Sequence, residues 1–436
     1  MVSTTLSHKL VFGQYLIFFS FFIFPIMLHA QDGRILSLDS LQQWAKVNYP
    51  YSRQLILNDL YKKESIKSIG TQWLPQLTVS GKTSYQSEIT AVSLPDGINL
   101  GFTLGEGEKF QYTGQVELTQ LLFDGGLTGI SKEISKLDCN IKSGNIETAM
   151  LQIENTVNSL FENILVTKEQ IKMLDYSMND LIAREKNVET AVKNGMVLSS
   201  ELQELKAELI NLEQNKTDAS ALLATFYSQL SFITQVKIDT SEVLQWPVGL
   251  TDCNDDYHNR PDFLVFEQQI KFYDLQLKTL QRKELPQLRI FADGYYGRPG
   301  LNAMDYSDHF SGIIGVKLQW NISDFYTNSH EKKKIVVQKQ IINNQQDILN
   351  IELDQKLDQL KIDANKNKEL IMKDDDIVNA RSAVRETSAV QFENGAMTFA
   401  DYLLKLNAES RAISNRQIHK IRLRMYSIKK ETLTNN

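Results

Sequence analysis

The chain has 436 residues, 42% apolar and 23% charged, which fits a folded protein of two or three domains and excludes a disordered one. Its formal net charge of −6 gives no electrostatic reason to bind nucleic acid or an acidic membrane surface. Two cysteines, Cys139 and Cys253, are too few for a disulfide framework.

From the N-terminus, Lys9, the apolar run "LVFGQYLIFFSFFIFPIML" and Ala30 follow the charged, apolar and small-residue order of a secretory signal over residues 1–30. A membrane anchor over 10–28 is the alternative, since the run reaches roughly the 18 residues at which a spanning helix becomes possible. Pro25 and the small residue at the cleavage position favour the signal, and no Cys follows to suggest a lipoprotein. After residue 31 no comparable apolar run occurs, so any membrane crossing there must be made by a closed β-barrel.

The next pattern, "LSLDSLQQWAKVNYPYSRQ", reads as a first helix leading to "LPQL". In "PQLTVSGKTSYQ", Leu77, Val79, Gly81, Thr83 and Tyr85 alternate with polar neighbours, and in "FQYTGQVELTQLLF", Tyr112, Gly114, Val116 and Leu118 do the same. These are two strands of about ten residues, long enough to cross a bilayer at a tilt. An ordinary sheet with one buried face has the same alternation; export, consecutive hairpins and aromatics near the strand ends favour the membrane. Trp73, Phe110, Tyr112 and Phe123 flank the first pair, and Trp320 and Phe325 are expected to close the fourth strand.

Proline is absent from 96–246 and 300–436, which leaves room for very long helices. Leu127, Ile130, Ile134, Leu137 and Ile141 begin a three-and-four spacing that continues through Leu160, Leu174 and Leu181 and, beyond an Asn-Gly at 194–195, through Leu202, Leu205, Leu209 and Leu212. This is a coiled-coil seam, and a helix from 128 to 193 would be roughly 100 Å long. The order then recurs: "LPQLRIFADGYYG" matches "LPQLTVSGKTSYQ", "GIIGVKLQWNISDF" alternates as a fourth strand, and a second proline-free stretch carries Asn394-Gly395. The expected plan is therefore an internal duplication: a first repeat over 31–239, a linker over 240–262 and a second repeat over 263–436, each with a helix, two strands and a long helical hairpin. Four strands cannot close a barrel, because the smallest single-chain outer-membrane barrels have eight, so closure calls for several chains.

In this order the segments "LSLDSLQQWAKVNYPYSRQ", the two "LPQL" motifs, "LLFDGG" at 121–126, "NRPD" at 259–262 and the two glycine turns resemble the TolC-like outer-membrane efflux family over nearly the whole mature chain. The resemblance implies an α+β membrane protein in which a long α-helical coiled-coil barrel continues a transmembrane β-barrel, four strands from each chain of a homotrimer. It implies location in the outer membrane with the helical part in the periplasm, and a passive duct served by a periplasmic adaptor (membrane fusion protein) and an inner-membrane pump. It also implies adaptor docking through the turns, at Asn194, Gly195, Met196, Val197 and Leu198 and at Asn394, Gly395, Ala396, Met397 and Thr398.

On their own terms the glycines need no partner: Gly195 and Gly395 can take the positive φ of a helix end, Asn being the next best residue there. Thr398 with Asp401 reads as a capping-box variant, and Ser199 with Glu201 as a second helix start. Glu201 and Asp401, each six residues after its glycine, match acids that line the family's periplasmic gate. Glu204 matches a further gate acid whose counterpart in the second repeat is Leu404, and Met397 stands where some members have a base. Solvated helix charges explain the same acids equally well. Cys253, Asp255, Asp256, His258 and Asp262 lack a recognised metal spacing, and no nucleophile, HExxH or phosphate-loop motif occurs, so no cofactor, metal or catalytic residue is expected. A structural coiled coil anchored in the inner membrane and a periplasmic adaptor are the competing readings; the first leaves the strands without a role, and the second has one hairpin and no duplication.

Overall fold

The computed structural model of the chain describes residues 35–88, 108–246, 254–302 and 307–435; the expected signal over 1–30, Cys253 and the middle of the first inter-strand loop lie outside them. In chain order the elements are β1 (Ile35–Leu36), α1 (Leu38–Asn48), α2 (Pro50–Gly70), a 3-10 turn (Thr71–Trp73), β2 (Gln76–Tyr85), β3 (Phe110–Phe123), α3 (Leu127–Lys193) and α4 (Ser199–Thr234). They continue with β4 (Val243–Leu244), α5 (Pro261–Lys283), β5 (Gln287–Arg298), β6 (His309–Gln319), α6 (Asp324–Glu393) and α7 (Phe399–Thr434). At 67 and 70 residues, α3 and α6 are each about 100 Å long.

The first helical pattern is broken where the sequence reading ran through it. Tyr49 is extended, with ψ 143°, and Pro50 occupies the first position of α2, because a residue before proline avoids the helical region and proline has no N–H to extend α1. The break lets the chain step sideways. Asn48 Nδ2 donates to the carbonyl of Thr234 at 2.9 Å, joining the end of α1, just before α2 begins, to the end of α4. In the other half, Arg260 Nη1 donates to the carbonyl of Leu433 at 2.9 Å, joining α5 to α7. The short helices thus stack as α2 on α4 and α5 on α7, each stack matching a long helix in length. Packing contacts run from the α2/α4 stack to α3, from α3 to the α5/α7 stack, and from that stack to α6, so four columns lie side by side. A lateral core gathers at the α2/α4 step, where Leu38, Leu41 and Ala45 of α1 meet Val157, Phe161 and Ile164 of α3 and Leu223, Tyr227 and Leu230 of α4. The connector read from 240 to 262 contributes to it: β4 pairs in parallel with β1, and α5 already starts at Pro261.

The sheet is antiparallel in the order β2-β3-β5-β6, and among the described residues no strand lies on the outer side of β2 or β6. Its register aligns like with like. Leu77, Leu118, Ala292 and Ile314 form one row across the four strands, and Val79, Val116, Gly294 and Gly312 the next. The opposite face holds rows such as Ser80, Gln115, Tyr295 and Ser311. Leu77, Val79, Val116, Leu118, Ile314, Val316 and Leu318 are all exposed, so an apolar face spans the sheet with nothing packed on it among the described residues. Tyr85 pairs with Phe110, and Tyr296 with Phe310, at the edge away from the helices. At the other edge the expectation is corrected: β6 ends at Gln319, Trp320 follows it, and Phe325 belongs to the first turn of α6, where the two rings meet edge to face. Trp320 leaves the ladder because its indole N–H donates to the carbonyl of Glu284 at 2.9 Å.

The passage from β3 to α3 explains "FDGG". Gly125 and Gly126 take φ of 70° and 88°, a region costly for other residues. Asp124 accepts from the Gly126 amide at 2.8 Å and from the amide and hydroxyl of Thr128 at 2.7 and 2.5 Å, satisfying orphan donors of the helix start. Burial works against its charge, yet the hydrogen bonds from Thr128 and Gly126 hold its carboxyl below the usual range. A depressed carboxyl contributes stability above its unfolded pKa and loses it as pH falls through the folded value. Replacing Asp124 with Ala should cost roughly 1–3 kcal/mol at neutral pH, and the gap between variant and wild type in thermal denaturation should begin to narrow below about pH 4 and shrink further as pH falls through the lowered folded value.

Candidate functional site

The two glycine turns lie at the end of the columns remote from the sheet, and they are built alike. Each closes a long helix as a Schellman motif: the amide of Met196 donates to the carbonyl of Ala191 at 2.9 Å and that of Gly195 to Val192 at 3.0 Å. Ala396 donates to Gln391 at 2.8 Å and Gly395 to Phe392 at 3.0 Å in the second turn. Gly195 and Gly395 both have φ of 70°. The asparagines do not share the left-handed role that the sequence suggests for them, since Asn194 and Asn394 sit at φ −85° and −90°, still on the helical side. The turns adjoin, with the carbonyl of Met196 4.0 Å from where a Cβ on Gly395 would stand.

Their outward residues differ. Met196 and Leu198 are 68% and 71% exposed. Ala396 and Thr398, also exposed, offer a methyl group and a hydroxyl. Val197 and Met397 turn back against a core made by Leu181, Val188, Leu205, Phe392, Phe399, Tyr402 and Leu406, so all four helices near the turns share one apolar cluster.

Of the acids, Asp401 behaves as the capping pattern predicts. Its amide donates to Thr398 Oγ1 at 3.2 Å, and the Thr398 hydroxyl donates back to its carboxylate at 2.9 Å. The first repeat differs: Leu198, not Ser199, is the N-cap of α4, without a side-chain cap. Glu201 reaches across instead, its Oε2 accepting from the amide of Phe399 at 3.2 Å. Glu204 is exposed one turn further on, and Leu404 holds the equivalent exposed position on α7.

Behind the turns lies a polar cluster that sequence reasoning missed. Arg184 on α3 donates through Nε to Asp180 at 3.0 Å and to the Tyr402 hydroxyl at 2.8 Å, and its guanidinium lies 4.7 Å from the centre of the Tyr402 ring. Tyr402 in turn donates to Asp180, and Arg184 Nη1 pairs with Glu393. Burial and the Asp180 carboxylate hold the phenol protonated well above its ordinary range. One step nearer the sheet, buried Glu409 accepts from Arg385 at 2.9 Å and from Tyr176 at 3.2 Å. Both groups tie α3 of the first half to α6 and α7 of the second. The spacing of Asp180 and Arg184, four apart on one helix, was the available signal; Tyr402, 218 residues beyond Arg184, reads from sequence only as part of the apolar seam.

The linker acids are engaged in local pairs: Asp255 with Lys361 and Lys430, each at 2.7–2.8 Å, Asp256 with His258 and Asp262 with Arg260. Among the described residues no group of three or more potential ligands gathers for a metal, and no helix is long and apolar enough to cross a membrane.

No protein-family model matches the sequence, and no curated protein matches it significantly. Solved structures do match in three dimensions. The outer membrane protein VceC of Vibrio cholerae is similar with a TM-score of 0.65 at 12% identity, over 91% of this chain and 96% of that one. The CmeC outer membrane channel of Campylobacter jejuni gives 0.66 at 15%, over 91% and 85%. The MtrE outer membrane channel of Neisseria gonorrhoeae, in its open state, gives 0.66 at 14%, over 91% and 88%. The chain has the TolC-like channel fold. Within the TolC-like fold the sheet, the columns and the turns of this chain keep a common layout at identities where few side chains are shared.

Tyr402→Phe removes a hydroxyl that serves two half-buried charged partners and should lower stability by roughly 1–3 kcal/mol. Gly395→Ala, forced to φ of 70°, should cost about 1–2 kcal/mol. Leu404→Ala, at an exposed site, should leave the thermal denaturation midpoint within error of wild type.

Proposed function

We propose that the chain is an outer-membrane exit duct that passively conducts substrates delivered by an inner-membrane pump through a periplasmic adaptor, with no chemistry of its own. The observation that carries this reading is the unpacked apolar face running across all four strands, mounted on helices about 100 Å long. Ten-residue β2 extends about 34 Å, and at a tilt near 40° it would stand about 26 Å high, close to the apolar band of an outer-membrane barrel. The aromatic pairs Tyr85–Phe110 and Tyr296–Phe310 at the outer edge, with Trp73, Phe123 and Trp320 at the inner one, suit its two interfaces. The helices then extend into the periplasm. The paired element orders before and after the 240–262 connector support an internal duplication, repeats 31–239 and 263–436.

Lipid leaves no partner for open backbone edges, so β6 of one copy pairs with β2 of the next. The helical columns support the same closure. On α6, Val337, Ile341, Ile348, Ile351, Ile362, Ile377 and Val384 are exposed and fall within about 80° of one another around the helix, opposite the seam of Ile335, Ile342, Leu353, Leu357 and Val378 that is buried. This second seam faces the free side of the row of columns. Its counterpart in a neighbouring copy is the α2/α4 stack, where Ile56, Leu57, Leu60 and Tyr61 are exposed beside a groove with Asn145, Ile146 and Ala149 of α3. A homotrimer of this kind makes a barrel of twelve strands over twelve helical columns.

The turns at 194–198 and 394–398 are then the periplasmic docking ends, and Asp401, Glu204 and Glu201 form the acidic entrance. Repeated about a threefold axis, such carboxylates favour cations.

Ile341→Asp combined with Ile348→Asp should convert a heat-modifiable outer-membrane oligomer into monomer on gels. Recovery of the wild-type chain as a soluble monomer, or in the inner membrane, would sink the duct reading. In planar bilayers Asp401→Asn should reduce the preference for cations, with unchanged ion selectivity counting against the acidic entrance.

A further inference from the structure

Glu201 stands in the first turn of α4, where an acid ordinarily serves its own helix. Here its carboxylate accepts from the amide of Phe399, the first residue of α7 in the other half of the chain. That amide has no partner within its helix, because the first N–H groups of any α-helix lack one. Two further amides of the α7 start are served locally: Thr398 Oγ1 takes that of Asp401, and the Thr398 carbonyl takes that of Tyr402. The Phe399 amide is left for Glu201. Around this bond the two turns are in close register, with the Met196 carbonyl beside Gly395 and Val197, Leu202, Met397 and Phe399 packed in one cluster.

We propose that Glu201 is a positioning residue: it caps α7 across the boundary between the two hairpins and fixes both turns as one docking platform. Its role in the acidic entrance is thereby distinct from that of Asp401. The bond needs an acceptor oxygen at this position, not a net charge, so Gln can replace Glu where Ala cannot. Glu204, on the same helix and exposed, has no such role. The inference rests on the docking reading only for the use of the platform; the clamp itself is a property of the isolated channel.

The test is hydrogen–deuterium exchange on the full-length channel in detergent without a partner, read on peptides covering 397–402 and 199–204. Glu201→Ala should speed exchange at the start of α7 by about five- to tenfold, as the loss of a cap does. Glu201→Gln should stay within about twofold of wild type, and Glu204→Ala should match wild type. Unchanged exchange at 397–402 in Glu201→Ala, an equal effect from Glu204→Ala, or failure of Gln to restore protection would each overturn the proposal. An export assay in cells separates the two readings: normal export by Glu201→Ala despite fast exchange at α7 would retain the clamp and remove its bearing on docking, while normal exchange with lost export would remove the clamp.

Discussion

The two halves of the chain meet along the seam between α3 and the α5/α7 stack, and the positions of sheet and turns both depend on it. Near the sheet the seam is tight enough that a Cβ on Gly144 would come within 2.4 Å of Val265. Near the turns it is apolar, with Leu181 and Val188 against Tyr402 and Leu406, and reinforced by Arg184 and Glu409, each held by partners from both halves. Because α3 leaves β3 and α5 leads into β5, its neighbour in the sheet, a shift along this seam would move the turns against each other and break the β3–β5 register at once.

The polar groups in that seam have a specific consequence. Apolar contacts alone would tolerate sliding by a heptad, since one branched aliphatic residue replaces another. The Asp180–Arg184–Tyr402 cluster and the Arg385–Glu409–Tyr176 cluster resist such a shift: the Asp180–Arg184 and Arg385–Glu409 pairs each lie within one half, but Arg184 would lose Tyr402 and Glu393, Asp180 would lose Tyr402, and buried Glu409 would lose Tyr176. They fix the register of two rods about 100 Å long, far from the sheet that sets it at the other end.

The two transitions from strand to long helix are built differently. After β3, Asp124 and two glycines of positive φ turn the chain. After β6, Asn321, Ser323 and Asp324 bond among themselves, with Asn321 Nδ2 donating to Asp324 at 2.8 Å, and no glycine is used. The first amides find acceptors in both cases: Asp124 takes those of Gly126 and Thr128, whereas after β6 those of Asp324, Phe325 and Tyr326 donate to the carbonyls of Asn321, Ile322 and Ser323.

Local signals made much of this legible in the sequence. Gly195 and Gly395 marked helix ends because a positive φ at the end of an apolar seam nearly requires glycine, and alternation marked β2 and β3 because side chains of a strand alternate between faces. Pro50 was just as local, yet its break went unread, since a proline can open a helix as readily as end one. Tertiary structure alone decided which columns stand side by side, that the amide of Phe399 belongs to Glu201, and that Tyr402 serves Asp180 and Arg184. The reason is physical: helix ends and strand faces are set by neighbours three or four residues away, whereas a polar group's partner across a seam depends on a register that only the packed whole defines.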